Sequence, residues 1–192
     1  MKSIAKIASA LILSFGLANA SEYVVDDVHT NVGFTVKHMM ITNVKGEFKT
    51  YDAKIDFDNA SKTFKAFSAS VDTASIDTGI EKRDAHLKSA DFFLSEKFPK
   101  MTFVMKSYKA DGNEGKMSGD LTIRGITKPV VFDVEDVASV KDLQGNNRVG
   151  FTLKGKINRM DYDLKWNKAL EAGGVVVAEE VKIAVEVEAV EK

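Results

Sequence analysis

The side chains best suited to chemistry crowd into one stretch, Ser75 to Phe93, where Asp77, Arg83, Asp84, His86 and Asp91 stand close together. A histidine with carboxylates beside it is raw material for proton transfer, so a hydrolase or isomerase built on Asp77, Asp84 and His86 is one reading. It lacks a nucleophile, because no serine stands in a nucleophile-elbow sequence. The opposing reading is a solvated helix, on which a histidine with acidic neighbours is common. A second chemistry is zinc binding by His29, His38 and His86, which are all the histidines of the chain. Their spacing matches no compact ligand motif, and strand parity puts His29 and His38 on different faces. The expectation is therefore no catalytic residue and no metal site. Arg83 can fork onto a phosphate or onto Asp84, and the two uses stay open.

These residues need an element to hold them, and the stretch is the chain's best helical candidate. Asp77 or Thr78 suits an N-cap, Glu81 follows Thr78 by three as in a capping box, and Ile80, Asp84, Leu87 and Asp91 trace one side. A weaker candidate, Asp163 to Ala172, reads as a loop with some helical turns. Almost everything else alternates with period two. Val32, Phe34, Val36 and His38 share one face of a strand, and Val181, Ile183, Val185, Val187 and Ala189 share another near the C-terminus. Met101, Phe103 and Met105, then Met117, Leu121 and Ile123, then Val149, Phe151, Leu153 and Ile157 repeat the pattern. Turn residues at Asp58-Asn59, Asp111-Gly112-Asn113, Gly145-Asn146-Asn147 and Gly173-Gly174 separate the runs. Roughly eight or nine strands follow, which suggests an all-β antiparallel barrel or sandwich.

A closed barrel of about eight strands either fills itself with side chains or holds one small ligand. The inward face carries Phe34, Phe48, Phe103, Phe151 and several methionines, interspersed with Gly46, Gly119 and Gly155. Glycine gaps among large apolar residues would leave room for an apolar guest. A simple packed core is the alternative, since phenylalanines on strands usually pack on one another.

The N-terminus bears on where such a barrel works. Lys2 and Lys6, an apolar run from Ile7 to Leu17 and the small-residue signal Ala18-Asn19-Ala20 spell a secretory signal peptide over residues 1–20, cut after Ala20. Residues 21–192 then form one barrel domain. No other run is long enough for a transmembrane helix, so no membrane anchor is expected. The chain has no cysteine, which excludes disulfides. Of 27 basic residues, Lys2 and Lys6 leave with the leader, and the other 25 face 28 acidic ones, a formal net of −3. So mild a charge argues against a nucleic-acid partner. An outer-membrane barrel shares the alternation, but one tryptophan and four tyrosines make poor aromatic girdles.

Specific motifs then appear in order. Asp27-Val28-His29-Thr30, His38-Met39, Val44-Lys45-Gly46-Glu47-Phe48, Ile76-Asp77-Thr78-Gly79, Arg83-Asp84-Ala85-His86-Leu87 and Asp91-Phe92-Phe93 come first. Phe98-Pro99, Thr102-Phe103, Gly119 to Gly125, Thr127-Lys128-Pro129-Val130 and Asn158-Arg159-Met160-Asp161-Tyr162 follow. Together they resemble the motif set of the YceI-like family over essentially the whole mature chain. The resemblance implies an extended lipocalin-like antiparallel barrel with a short helix inserted near residues 78–93. It also implies export to the periplasm, or secretion, and a long apolar channel holding a polyisoprenoid or another long-chain amphiphile. Homodimers are implied too; catalysis is not, and no cofactor is expected beyond the lipid itself.

Joined to the alternating faces, the resemblance assigns the channel wall to Phe34, Val36, Phe48, Phe92, Phe93, Phe103 and Met105. Leu121, Ile123, Phe151, Leu153, Met160 and Trp166 complete it, with Trp166 either at the mouth or plugging the barrel end. Candidates for a polar mouth, or for a clamp between helix and barrel, are His29, His38, Arg83, Asp84, His86 and Arg159. One departure stands out: Asp163 follows Tyr162 where many relatives would have glycine, which bears on the loop there.

Overall fold

The computed structural model describes residues 20–171 and 173–192. The expected leader, apart from Ala20, and Ala172 of the weaker helical candidate lie outside them. Eleven strands form one antiparallel sheet: β1 (Ser21–Val25), β2 (Asn31–His38), β3 (Thr42–Phe48), β4 (Tyr51–Asp58), β5 (Thr63–Asp72), β6 (Ile76–Asp77), β7 (Lys100–Asp111), β8 (Glu114–Ile123), β9 (Ile126–Lys141), β10 (Asn147–Asn158) and β11 (Val177–Glu191). Eight of them close a barrel in the order β1-β4-β5-β7-β8-β9-β10-β11, and β11 returns to β1 through Tyr23 opposite Glu191 and Val25 opposite Ala189. The rest of β11 pairs with β2, so one fifteen-residue strand holds β1 and β2 end to end. The hairpin β2–β3 thus diverges from β4, and only the two-residue β6 joins the far edge of β3.

Period-two alternation makes this barrel because every strand has one apolar face to hide. The apolar faces point inward. That is the reverse of a transmembrane barrel, whose outer face is apolar.

At the end formed by the β4–β5, β7–β8 and β9–β10 turns the interior is solid. Tyr23, Ile55, Phe57, Met117, Val137, Val149 and Ala189 are each at most 1% exposed. Phe64 sits among them, with its ring centroid 4.9 Å from Phe57 and 4.7 Å from Phe151. These separations and steep interplanar angles are those at which aromatic quadrupoles attract.

The glycines do not do what the alternation suggested. A Cβ on Gly46 would lie 2.5 Å from the Phe34 ring, one on Gly119 2.5 Å from Phe103, and one on Gly155 2.6 Å from Phe132. Each gap is filled by one of the barrel's own rings lying across the neighbouring strand. The glycines make space for phenylalanine, and the guest's room must come from elsewhere.

The inserted helix, α1, runs over Glu81–Lys88, shorter than the expected span, and carries no capping box. Its N-cap is Ile80, which has no side chain to offer, because Gly79 at φ +75 turns the chain between Thr78 and the helix. Capping runs the other way: Asp84 Oδ1 accepts from the Thr78 amide at 3.0 Å and from its hydroxyl at 2.5 Å. Asp77 instead closes a local turn by accepting from the Gly79 amide. Residues 163–171 form an extended loop rather than helical turns, with one bridge from Ala169 to Val175.

Candidate ligand channel

Between the solid end and α1 the barrel holds a partly open apolar cavity of about 190 Å³. Phe67, Phe103 and Phe132 form its floor, with Phe103 stacked 6.0 Å from Phe67 and 5.2 Å from Phe132. Alternate residues of two strands make much of the wall: Val32, Phe34 and Val36 from β2, and Val181, Ile183, Val185 and Val187 from β11. Leu87 of α1, with Phe92 and Phe93 just after it, forms the roof. Phe93 reaches down to stack edge-on against Phe48 at 5.7 Å. Among the described residues, the only polar side chains on this lining are Thr30, Tyr51, Asp52, Thr102, Arg159 and Tyr162.

Nine of the thirteen residues expected in the channel wall line this cavity: Phe34, Val36, Phe48, Phe92, Phe93, Phe103, Leu121, Ile123 and Leu153. Four do not. Phe151 lies below the floor in the solid half, Met105 packs against the same core, Met160 belongs to the 3-10 turn after β10, and Trp166 stands behind Phe92. In a closed barrel the same inward parity serves both cavity and core, so parity alone cannot separate Phe103 from Phe151.

The polar candidates scatter. Arg83 Nε donates to the Thr78 hydroxyl at 2.7 Å and Nη2 to the Thr78 carbonyl at 2.8 Å, so Arg83 and Asp84 both grip Thr78 rather than each other. His86 Nε2 meets Asp91 Oδ2 at 2.7 Å, and its ring stands edge-on to Phe92 and Trp166 at 5.1 and 4.9 Å. That imidazole props the roof. His38 ends β2 away from the other two histidines, and His29 lies in a shallow polar recess beside Asn31, Glu47 and Lys49. The recess touches the cavity through Thr30, Phe48 and Tyr51, in the wedge where β2 leaves β4.

Arg159 is the exception. It is 3% exposed, lines the cavity, and donates to the carbonyls of Ala178 at 2.9 Å, Val177 at 3.1 Å and Leu164. Burial pulls its pKa down, and no carboxylate pairs with it among the described residues. Nearby, Asp163 has φ 61, a left-handed conformation that glycine adopts freely and aspartate tolerates better than most residues. The departure from the family pattern therefore falls on a left-handed residue, a position that glycine would also suit.

No three-histidine site forms. His29 approaches Asp26 and Glu188 closely enough for a metal, but Arg148 already occupies that spot, donating to Asp26 at 2.8 Å and to Glu188 at 2.6 Å. Its Nε also holds Asp142 at 3.0 Å in the β9–β10 turn, so one guanidinium ties three segments across the barrel seam. This missed clamp has a pH signature. The Arg148 hydrogen bonds hold the carboxyls of Asp26 and Asp142 at about 2, below their ordinary value of 3.8. Depressed carboxyls contribute stability above the unfolded pKa and lose it as pH falls through the folded one. Arg148→Met is expected to lower the midpoint of thermal unfolding by a constant amount above pH 5. The gap to wild type should close between pH 4 and pH 2; a gap that stays constant to pH 2 would exclude the linkage.

The model of the YceI-like domain matches residues 23–189. A UPF0312 protein of Staphylococcus epidermidis is 43% identical over 158 residues, covering 82% of this chain and 90% of the relative. One from Staphylococcus aureus is 42% identical over 164 residues, covering 84% and 93%. Among solved structures, the Campylobacter jejuni YceI protein is 43% identical with a TM-score of 0.73, covering 88% of this chain and 98% of its own. A polyisoprenoid-binding domain from Saccharophagus degradans superposes with a TM-score of 0.63 over 90% and 99% of the two chains, at only 13% identity, which speaks to fold alone. With the matched span running from the first barrel strand to the last, this chain belongs to the YceI-like family.

Proposed function

We propose that this protein is a binding protein, not an enzyme, that holds a polyisoprenoid or comparable long-chain lipid in the channel and works in the periplasm. One observation carries the reading: a cavity inside the barrel whose lining, among the described residues, is apolar except for six side chains. Such a wall stabilises a hydrocarbon chain by about 0.8 kcal/mol per buried methylene, so each further stretch of tail taken into the channel adds affinity. Ordering costs of association offset part of that gain, so affinity rises with the length of tail the channel accommodates. The polyisoprenoid-binding neighbour of like fold supports the same class of guest. The residues that first suggested proton chemistry are spent on position: Asp84 and Arg83 on Thr78, His86 on Asp91 and the roof.

The test is mass spectrometry of organic extracts from the native protein, prepared by periplasmic extraction without detergent. An isoprenoid or fatty chain near one per protein is expected. Protein recovered there with no stoichiometric lipid would overturn the binding assignment, and recovery only with membranes would overturn the compartment.

A further inference from the structure

The tip of the β2–β3 hairpin breaks two local rules at once. Met39, Met40 and Ile41 follow one another and are 42, 57 and 76% exposed, and consecutive bare apolar residues are rare on a protein surface without a function. The turn itself is strained. The Ile41 amide donates to the His38 carbonyl at 3.1 Å, and the two central residues, Met39 and Met40, stand at φ 47 and φ 65. Left-handed backbone at both centres is the geometry that selects Asn-Gly, so two methionines there cost stability. The tip is nevertheless fixed in place, since the Met39 amide donates to the Val176 carbonyl at 2.8 Å and His38 pairs with Val177. It stands three residues beyond Val36 of the cavity wall, beside the segment that covers the channel end.

A basic field flanks the tip. On the outward faces Lys45 of β3 stands opposite Thr35 of β2, Thr35 opposite Lys182 of β11, and Lys182 opposite Lys156 of β10. Lys37 lies one step nearer the tip on the same face of β2. Lys37, Lys45 and Lys182 are exposed and form no salt bridge among the described residues. The carboxylates of the same stretch are engaged, Glu180 with Lys156 at 3.5 Å and Glu179 with the Asn158 amide group at 3.2 Å. In the adjoining loop Lys168 and Glu171 offset each other in charge. We propose that this tip docks the barrel on an anionic phospholipid bilayer, with Met39, Met40 and Ile41 entering the acyl boundary and the lysines lying among the head groups. The apolar stems of the lysines suit that depth. Docking there sets the covered end of the channel against the membrane. The surface goes beyond the lipid-binding assignment, and vesicle binding reads it whatever the channel holds.

The test is co-sedimentation with vesicles of phosphatidylglycerol and phosphatidylcholine in equal parts, against vesicles of phosphatidylcholine alone. Wild type is expected to bind the anionic vesicles at least about tenfold more tightly. Binding should fall as salt rises from about 0.1 M to about 1 M, which shortens the Debye length from about 10 Å to about 3 Å. Lys37→Gln and Lys45→Gln should each weaken binding about fivefold. Ile41→Ser, which leaves the strained pair alone, should weaken it about tenfold. Met39→Asn combined with Met40→Gly should lose at least about tenfold in affinity yet unfold about 2–4 °C higher than wild type, because it relieves the turn. No binding to anionic vesicles, or binding that this double variant retains in full, overturns the proposal. So does a wild-type dimer that the double variant turns into a monomer, since a second copy is then what covers the tip.

Discussion

An Ala69→Trp variant is expected to copurify with less than a tenth of the lipid held by wild type, while unfolding within a few degrees of it. Ala69 lies on β5 opposite Ala53 of β4 and Phe103 of β7, and its small side chain leaves open the part of the cavity above the phenylalanine floor. An indole there buries roughly 150–250 Å². At about 25 cal/mol per Å² that is about 4–6 kcal/mol gross, against strain of about 1–3 kcal/mol from crowding. The barrel therefore keeps its stability. The lipid loses an equivalent area, about six methylenes at about 0.8 kcal/mol each, or more than a thousandfold in affinity. Quantitative lipid extraction with a thermal melt reads both at once. Full occupancy in a folded variant would place the guest outside this cavity.

Phe151→Ala should show the opposite pattern. Phe151 is 3% exposed and stacks on Phe64 at 4.7 Å and Phe67 at 5.9 Å, beneath the cavity floor. Truncating a ring packed on all sides costs the transfer free energy plus the void it leaves, about 3–5 kcal/mol. Urea unfolding should report that loss as a lower midpoint at an unchanged slope. Lipid content per folded molecule should fall much less than in Ala69→Trp. A loss under 1 kcal/mol would mean that the lower half of the barrel is less tightly packed than its rings indicate.

Alternation made the barrel and its inward faces legible, because period two is a local property that β2 and β11 display residue by residue. What alternation could not show was depth along the barrel axis. Phe103 and Phe151 have the same parity, but one faces the void and the other fills the core, and only the sheet register separates them. The glycines misled for a related reason. Gly119 is far in sequence from Phe103, the ring that covers it, and register shifts in β7–β8 pairing hide such neighbours from a linear reading. The helix was legible, but its cap was not, since Ile80 holds the N-cap position and Asp84 reaches back to Thr78. Arg159 stood out as a candidate, whereas its partners at Leu164, Val177 and Ala178 depend on how the covering segment folds over. Arg148 drew no notice because its three carboxylates come from Asp26, Asp142 and Glu188, far apart in sequence.

The doubly paired strand β11 also sets a timetable. The seam joins Tyr23 to Glu191, and β2 finds its partner in residues 177–186, so the earliest strands wait for the latest before the ring can shut. Loop closure over so long a span is costly in entropy, and chains dominated by distant pairings fold in milliseconds to seconds rather than microseconds. Until the final fifteen-residue strand arrives, the β4–β5 and β7–β10 hairpins are an open ribbon with two bare edges. The ring is closed only by β11, which pairs with β10, β1 and β2 at once, so the barrel interior depends on the docking of the C-terminal strand.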